Sequence, residues 1–86
     1  MTIHYADTFL KDYRTIPAAA RKKFKKQMAI LADYGVTYRG LGAKKMNNES
    51  TIWEARIDIH IRFTFQMNGE LVLMRRIGTH AIYKNP

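Results

Sequence analysis

The sequence predicts an α+β domain of order β-α-α-β-β-β, with two N-terminal helices packed on one face of a small, mainly antiparallel twisted sheet. Three observations carry this expectation. Apolar residues recur at helical period in the first half, the period changes to two in the second half, and Asn68-Gly69 separates two of the later runs. Helices followed by strands place the helices together on one sheet face. The 86 residues make a single domain over 1–86, since no linker, repeat or low-complexity tract divides them.

Taken in order, the run from Thr2 to Tyr5 suits a short edge strand. Asp7 is placed as the N-cap of a first helix that shows Phe9, Leu10 and Tyr13 on one face. Pro17 suits the first position of a second helix, where its missing N–H is no loss. In that helix Ala20, Phe24, Met28 and Leu31 form a narrow apolar stripe, and Gly35 ends it. Arg21, Lys22, Lys25 and Lys26 fall on the other side, with Lys23 further round. These charges are either the solvated face of an amphipathic helix or an electrostatic guide for a polyanion.

From Gly35 to Thr51 the signals are those of a loop, with Gly40, Gly42 and Asn47-Asn48-Glu49-Ser50, and with Lys44 and Lys45 inside it. A connection of that length is either functional or partly ordered as a strand. Trp53, Ala55 and Ile57 then alternate with Ile52, Glu54, Arg56 and Asp58. Ile61, Phe63, Phe65 and Met67 alternate with His60, Arg62, Thr64 and Gln66. Each set reads as a half-buried strand, with a break near Asp58-Ile59-His60. Asn68-Gly69 predicts a type I′ hairpin with positive φ at both residues, and Leu71 to Ile77 an interior strand.

Composition narrows the function. Lys and Arg number 15 against 7 Asp and Glu, a net charge of +8 that favours a polyanionic partner: nucleic acid, an acidic protein or an anionic membrane face. Cysteine is absent, which removes disulfides, thiol nucleophiles and the common structural zinc sites. No apolar run approaches the ~20 residues of a membrane span, and the N-terminus lacks a signal-peptide layout, so a cytoplasmic location is expected. Size excludes dinucleotide-fold oxidoreductases and large multi-domain enzymes.

The helices cover one sheet face, and alternation puts Glu54, Arg56, Asp58, His60, Arg62, Thr64 and Gln66 on or near the other. Arg75 and Arg76 close the last strand, and His80 and Tyr83 follow. Such a face suits a phosphodiester: Arg forks match phosphate oxygens, Lys adds charge, and His and Tyr move protons. Each residue also has a structural role open to it. Arg62 can pair with Glu54 or Asp58, His80 can be a turn residue, and Tyr83 can pack over the sheet edge. The three histidines have no ligand spacing, so neither a metal nor another cofactor is expected.

The chain resembles the RelE/ParE superfamily of bacterial type II toxins, and within it the branch of RelE, YoeB and HigB-like mRNA interferases. The resemblance rests on Phe9-Leu10-Lys11-Asp12-Tyr13, Ile16-Pro17 before the basic helix, and Arg39-Gly40-Leu41 in the loop. It continues through Ile52-Trp53-Glu54-Ala55-Arg56-Ile57, Ile61-Arg62-Phe63-Thr64-Phe65 and Arg76-Ile77-Gly78-Thr79-His80-Ala81-Ile82-Tyr83. It implies metal-independent cleavage of mRNA in the ribosomal A site, by attack of a 2′-OH on the adjacent phosphate. Arg62, His80 and Tyr83 match the catalytic positions. Arg56, Lys44, Lys45 and Arg76 are looser matches for phosphate contacts, and the helix residues Lys22, Lys25 and Lys26 are candidates for RNA binding. The general base is not assigned.

The same resemblance implies a cognate acidic antitoxin as partner, besides the ribosome and mRNA, with operator DNA reached only through the antitoxin. A charge of +8 suits an acidic segment that folds on binding. Two other functions stay open: a ParE-like gyrase-inhibiting toxin of the same fold, and a non-catalytic basic module that binds nucleic acid or protein.

Overall fold

In the computed structural model, which describes residues 1–47 and 51–86, two helices lie on one face of a five-stranded sheet. The elements run β1 (Thr2–Tyr5), α1 (Asp7–Tyr13), α2 (Ala18–Tyr34), β2 (Lys44–Lys45), β3 (Ile52–Arg56), β4 (Arg62–Asn68) and β5 (Leu71–Gly78). Short 3-10 turns cover Arg39–Leu41 and His80–Lys84. The sheet order is β1-β5-β4-β3-β2, with β1 parallel to β5 and every other pair antiparallel. The expected α+β order is observed with one strand added, β2, inside the connection after α2. Of that connection's predicted turn residues, Asn48, Glu49 and Ser50 lie outside the described residues. Among the described residues no helix is long and apolar enough to cross a membrane.

The apolar stripe of α2 is what joins the layers. Ala20, Phe24, Met28 and Leu31 are all buried, and Phe24 meets Phe63 of β4 edge-on, with ring centroids 5.3 Å apart. Phe9 of α1 completes the contact at 5.2 Å from Phe24. Ala55, Phe63, Phe65, Val72, Met74 and Ile77 supply the sheet side of the core. Full burial of each larger side chain contributes about 1.5–3 kcal/mol. Gly35 closes α2 at φ 76°, where its N–H reaches the Leu31 carbonyl at 2.9 Å.

Three local expectations shift. Asp7 is the first residue of α1 and Ala6 the N-cap, with no side-chain cap bond; the carboxylate instead sits in the first turn, where it favours the helix dipole. Pro17 is the N-cap of α2, one position earlier than expected. The β4–β5 loop is Gly69-Glu70, since Asn68 pairs with Leu71. Only Gly69 has positive φ, 57°, among the described residues of that turn. Positive φ at the first loop position alone is the pattern of a type II′ turn rather than I′.

Two irregularities shape the polar face. Between β3 and β4 the Asp58 carboxylate accepts the His60 and Ile61 N–H groups, each at 2.7 Å. These two amides hold the Asp58 carboxyl below the usual carboxylate range. Asp58 is thus spent on the turn, and His60 is exposed beside it. In β5, Phe65 opposes Met74 but Thr64 opposes Arg76, so Arg75 is an extra, bulged residue. The core face of the strand accordingly passes from Val72 and Met74 to Ile77, a step of three.

Candidate active site

Beyond the helices, the sheet's second face ends in an open cleft of about 500 Å³, lined by Gly42, Lys44, Glu54, Arg56, Arg62, His80 and Tyr83. Strand register explains the lining. Arg56 on β3 stands opposite Arg62 on β4, and Glu54 lies between Lys44 on β2 and Thr64 on β4. The 3-10 turn after β5 brings His80 and Tyr83 to the same opening. Gly42 has φ 58°, and a Cβ there would come within 2.9 Å of Arg56 Nε, so the bare glycine makes room for that guanidinium.

Two like charges directly opposite each other cost up to about 1 kcal/mol. Neither Arg56 nor Arg62 recovers this from a carboxylate, for neither is ion-paired among the described residues. Arg62 Nε is buried without a hydrogen-bond partner among the described residues. The expected alternatives, pairing of Arg62 with Glu54 or Asp58, do not occur. A pair of guanidiniums arranged in this way matches a tetrahedral anion, whose oxygens accept from several N–H groups at once.

Among the described residues, Glu54 is the only carboxylate that lines the cleft. Its Oε1 accepts from the Tyr83 hydroxyl at 3.3 Å and lies 3.8 Å from Lys44 Nζ. Burial pushes the Tyr83 phenol above its ordinary pKa; the Glu54 charge adds to this, and Arg62 works against it. Tyr83 therefore remains a hydrogen-bond donor. Its ring meets the His80 imidazole edge-on, at 5.2 Å between centroids and 78° between planes. The cleft thus combines a charged anion seat, a carboxylate able to accept a proton and an imidazole able to give one.

By sequence, no family model and no curated protein matches the chain. Solved structures do. The RelB-RelE antitoxin-toxin complex from Methanococcus jannaschii is matched at TM-score 0.78 and 24% identity, over 96% of this chain and 99% of that one. YafQ from E. coli strain BL21(DE3) is matched at TM-score 0.76 and 20% identity, over 94% of both chains. The YoeB dimer from Staphylococcus aureus is matched at TM-score 0.78 and 14% identity, over 93% and 97%. The chain has the RelE/ParE toxin fold.

On this RelE/ParE scaffold the expected residues divide into two groups. Arg62, His80, Tyr83, Arg56 and Lys44 come together in the cleft. Lys45, next to Lys44 on β2, turns to the other face and lies over the Trp53 ring, 5.8 Å from its centroid. Arg76 is likewise not a cleft residue: Asp12 of α1 holds its guanidinium, Nε to Oδ2 at 2.6 Å and Nη2 to Oδ1 at 3.2 Å. Lys25 rims an apolar groove with Tyr5, Phe9, Leu10, Tyr13 and Phe24, away from the cleft. Lys26 lines a shallow hollow with Lys23, Gln27, Gly40 and Ile57, while Lys22 is exposed on α2. Helical spacing accounts for the different places of Lys25 and Lys26, since positions 23, 26 and 27 share a side from which 25 points away.

Glu54 is the site residue the sequence did not single out. Strand alternation already put it on the same face as Arg56 and Arg62. What was missing is its neighbour across β2, which only the Lys44–Glu54 register supplies.

Proposed function

We propose that this chain is the toxin of a type II toxin-antitoxin system, a metal-independent endonuclease that cleaves mRNA on the ribosome and so stops translation in the cytoplasm. One observation carries the proposal. Among the described residues, two opposed arginines without an ion pair stand beside a single carboxylate and a His-Tyr pair, on a fold shared with RelE, YafQ and YoeB.

The scissile phosphate sits on the Arg56 and Arg62 guanidiniums. Glu54 takes the proton from the 2′-OH of the preceding nucleotide, and the freed oxygen attacks phosphorus. The bond from phosphorus to the 5′-oxygen breaks, and His80 gives that oxygen a proton. The products are a 2′,3′-cyclic phosphate and a 5′-OH. Tyr83 holds the carboxylate in line, and Lys44 stands on its other side, 3.8 Å from Oε1. Charge stabilisers placed before reaction contribute about 10²–10³-fold each. The partner that silences such a toxin is an acidic antitoxin, as the solved RelB-RelE, DinJ-YafQ and YoeB-YefM complexes suggest by analogy. Operator DNA is then reached only through that antitoxin.

A message carrying a single 2′-deoxynucleotide at the cleaved position decides the chemistry. Cleavage of the ribosome-bound message should stop at that position and persist with chelator once ribosome integrity is controlled. Cleavage of the deoxy substrate would sink the mechanism. DNA damage signalling on expression, without loss of message, would instead favour a ParE-like gyrase inhibitor.

A further inference from the structure

We propose that Asp12, Arg75 and Arg76 form a clamp that sets the position of His80 and Tyr83 in the cleft, which makes the two arginines positioning residues for the reaction. The inference rests on the nuclease function proposed above and adds residues outside the cleft to it.

The bulge is the origin of the clamp. Because Arg75 has no partner across the ladder, two consecutive arginines of β5 are free to reach the segment that follows the strand. Arg75 Nε donates to the Pro86 oxygen at 3.1 Å, and its Nη1 to Gln66 Oε1 at 2.9 Å. Arg76 Nη1 donates to the Asn85 carbonyl at 3.1 Å, while its other nitrogens grip Asp12. Asp12 Oδ2 also accepts the Ile77 N–H at 3.2 Å, which fixes α1 to the strand at the same point. The Thr8 hydroxyl donates to the Arg75 carbonyl at 3.0 Å, a second tie between α1 and the bulge.

The segment from Thr79 to Asn85 is therefore an arch, with β5 at one foot and two guanidiniums at the other. Its own structure is slight. A five-residue 3-10 turn has poor hydrogen-bond geometry, and Ile82 is its only buried residue. Ile82 packs against Gly78, where a Cβ would lie 3.0 Å from Cγ2. His80 and Tyr83 stand on the span between the feet, so holding both feet fixes the span. A misplacement of about 1 Å costs roughly 10²-fold in rate, which is why an arch that weak needs two holds. The clamp also needs arginine in particular. One planar fork serves Asp12 and Asn85 together, and a lysine ammonium cannot span both.

The test compares Arg76→Lys and Arg75→Gln with wild type, using two readouts. One is single-turnover cleavage of ribosome-bound mRNA at saturating protein, beside the affinity for the same complex. The other is hydrogen exchange of the Ile82 and Asn85 amides, which donate to Thr79 at 3.1 Å and Ile82 at 3.2 Å. Both variants should exchange these amides about tenfold faster or more, and cleave about 10–100-fold more slowly with affinity held within about twofold. In a His80→Ala background, Arg75→Gln should add little further loss, because the clamp acts through the tail. Unchanged rates despite faster exchange would overturn the proposal, as would unchanged exchange, or a full additional loss in the His80→Ala background. If wild type itself leaves the message intact, the nuclease function fails alone, and amide exchange still decides whether the clamp holds the arch. Should Arg76→Lys not fold, Arg75→Gln decides, since the Arg75 guanidinium bonds Gln66 and Pro86 and not Asp12.

Discussion

Two pairs of arginines stand on the same sheet and meet opposite ends. Arg56 and Arg62 face each other with no carboxylate bound among the described residues, while Arg75 and Arg76 are engaged by Asp12, Gln66 and the Asn85 and Pro86 oxygens. By residue type and by strand position the four look alike. The difference lies in the partners: one pair opposes like charge to like charge, the other already has its acceptors. A cationic residue whose guanidinium is satisfied within the fold contributes to stability, and one left unsatisfied at a cleft is a candidate for binding.

The largest effect expected from breaking this contrast is on the open pair. Arg62→Ala should lower single-turnover cleavage by about 10²–10³-fold, while stability in urea stays the same or rises slightly because Arg56 loses a like-charged neighbour. A matching loss of stability would show that Arg62 belongs with the structural pair. The engaged pair should respond the other way. Asp12→Ala strips acceptors from Arg76 and from the Ile77 amide, and should cost about 2–3 kcal/mol in a urea titration, given bonds of ~1.5–3 kcal/mol to charged groups. A cost below about 0.5 kcal/mol would place that ion pair with ordinary surface bridges.

The next prediction sharpens the electrostatics at the cleft. Burial beside Glu54 raises the folded-state Tyr83 phenol above its unfolded value. The stability this contributes is fully present below about pH 10, the ordinary phenol value, and is lost as pH climbs through the folded value. The difference between tyrosinate absorbance titrations of wild type and Tyr83→Phe should have its midpoint above that ordinary value. A midpoint at or below it would mean that the Arg62 charge outweighs burial and Glu54. The smallest effect belongs to Thr64, which sits between the two pairs, opposite Glu54 on one side and Arg76 on the other. Its hydroxyl is fully buried and has no partner among the described residues. Thr64→Val should raise stability by about 1 kcal/mol, and a loss on thermal unfolding would mean the hydroxyl is satisfied after all.

The layers of the fold were legible because they rest on local periodicity. The stripe Ala20, Phe24, Met28, Leu31 and the alternation through Phe63 and Phe65 each declare a buried face within a few residues. Arg62 was legible for the same reason. The fate of Arg76 was not, because its acceptor lies 64 positions away on α1. Nor was the role of Glu54, which depends on a two-residue strand drawn from a loop-like segment. The bulge left a trace that could have been read: Val72, Met74 and Ile77 step by two and then by three, which no regular strand does.

That trace bears on which deletions the chain tolerates. Since Phe65 opposes Met74 and Thr64 opposes Arg76, removing one arginine closes β5 into an unbroken ladder with Val72, Met74 and Ile77 still in phase. Because residues 75 and 76 are both arginine, losing either yields the same protein. Removing Leu73 or Met74 instead would set an arginine opposite Phe65, inside the core. A deletion scan along the strand should therefore find its permissive position at the arginine pair. The shortened chain would fold with a single guanidinium left to serve Asp12, Asn85 and Pro86.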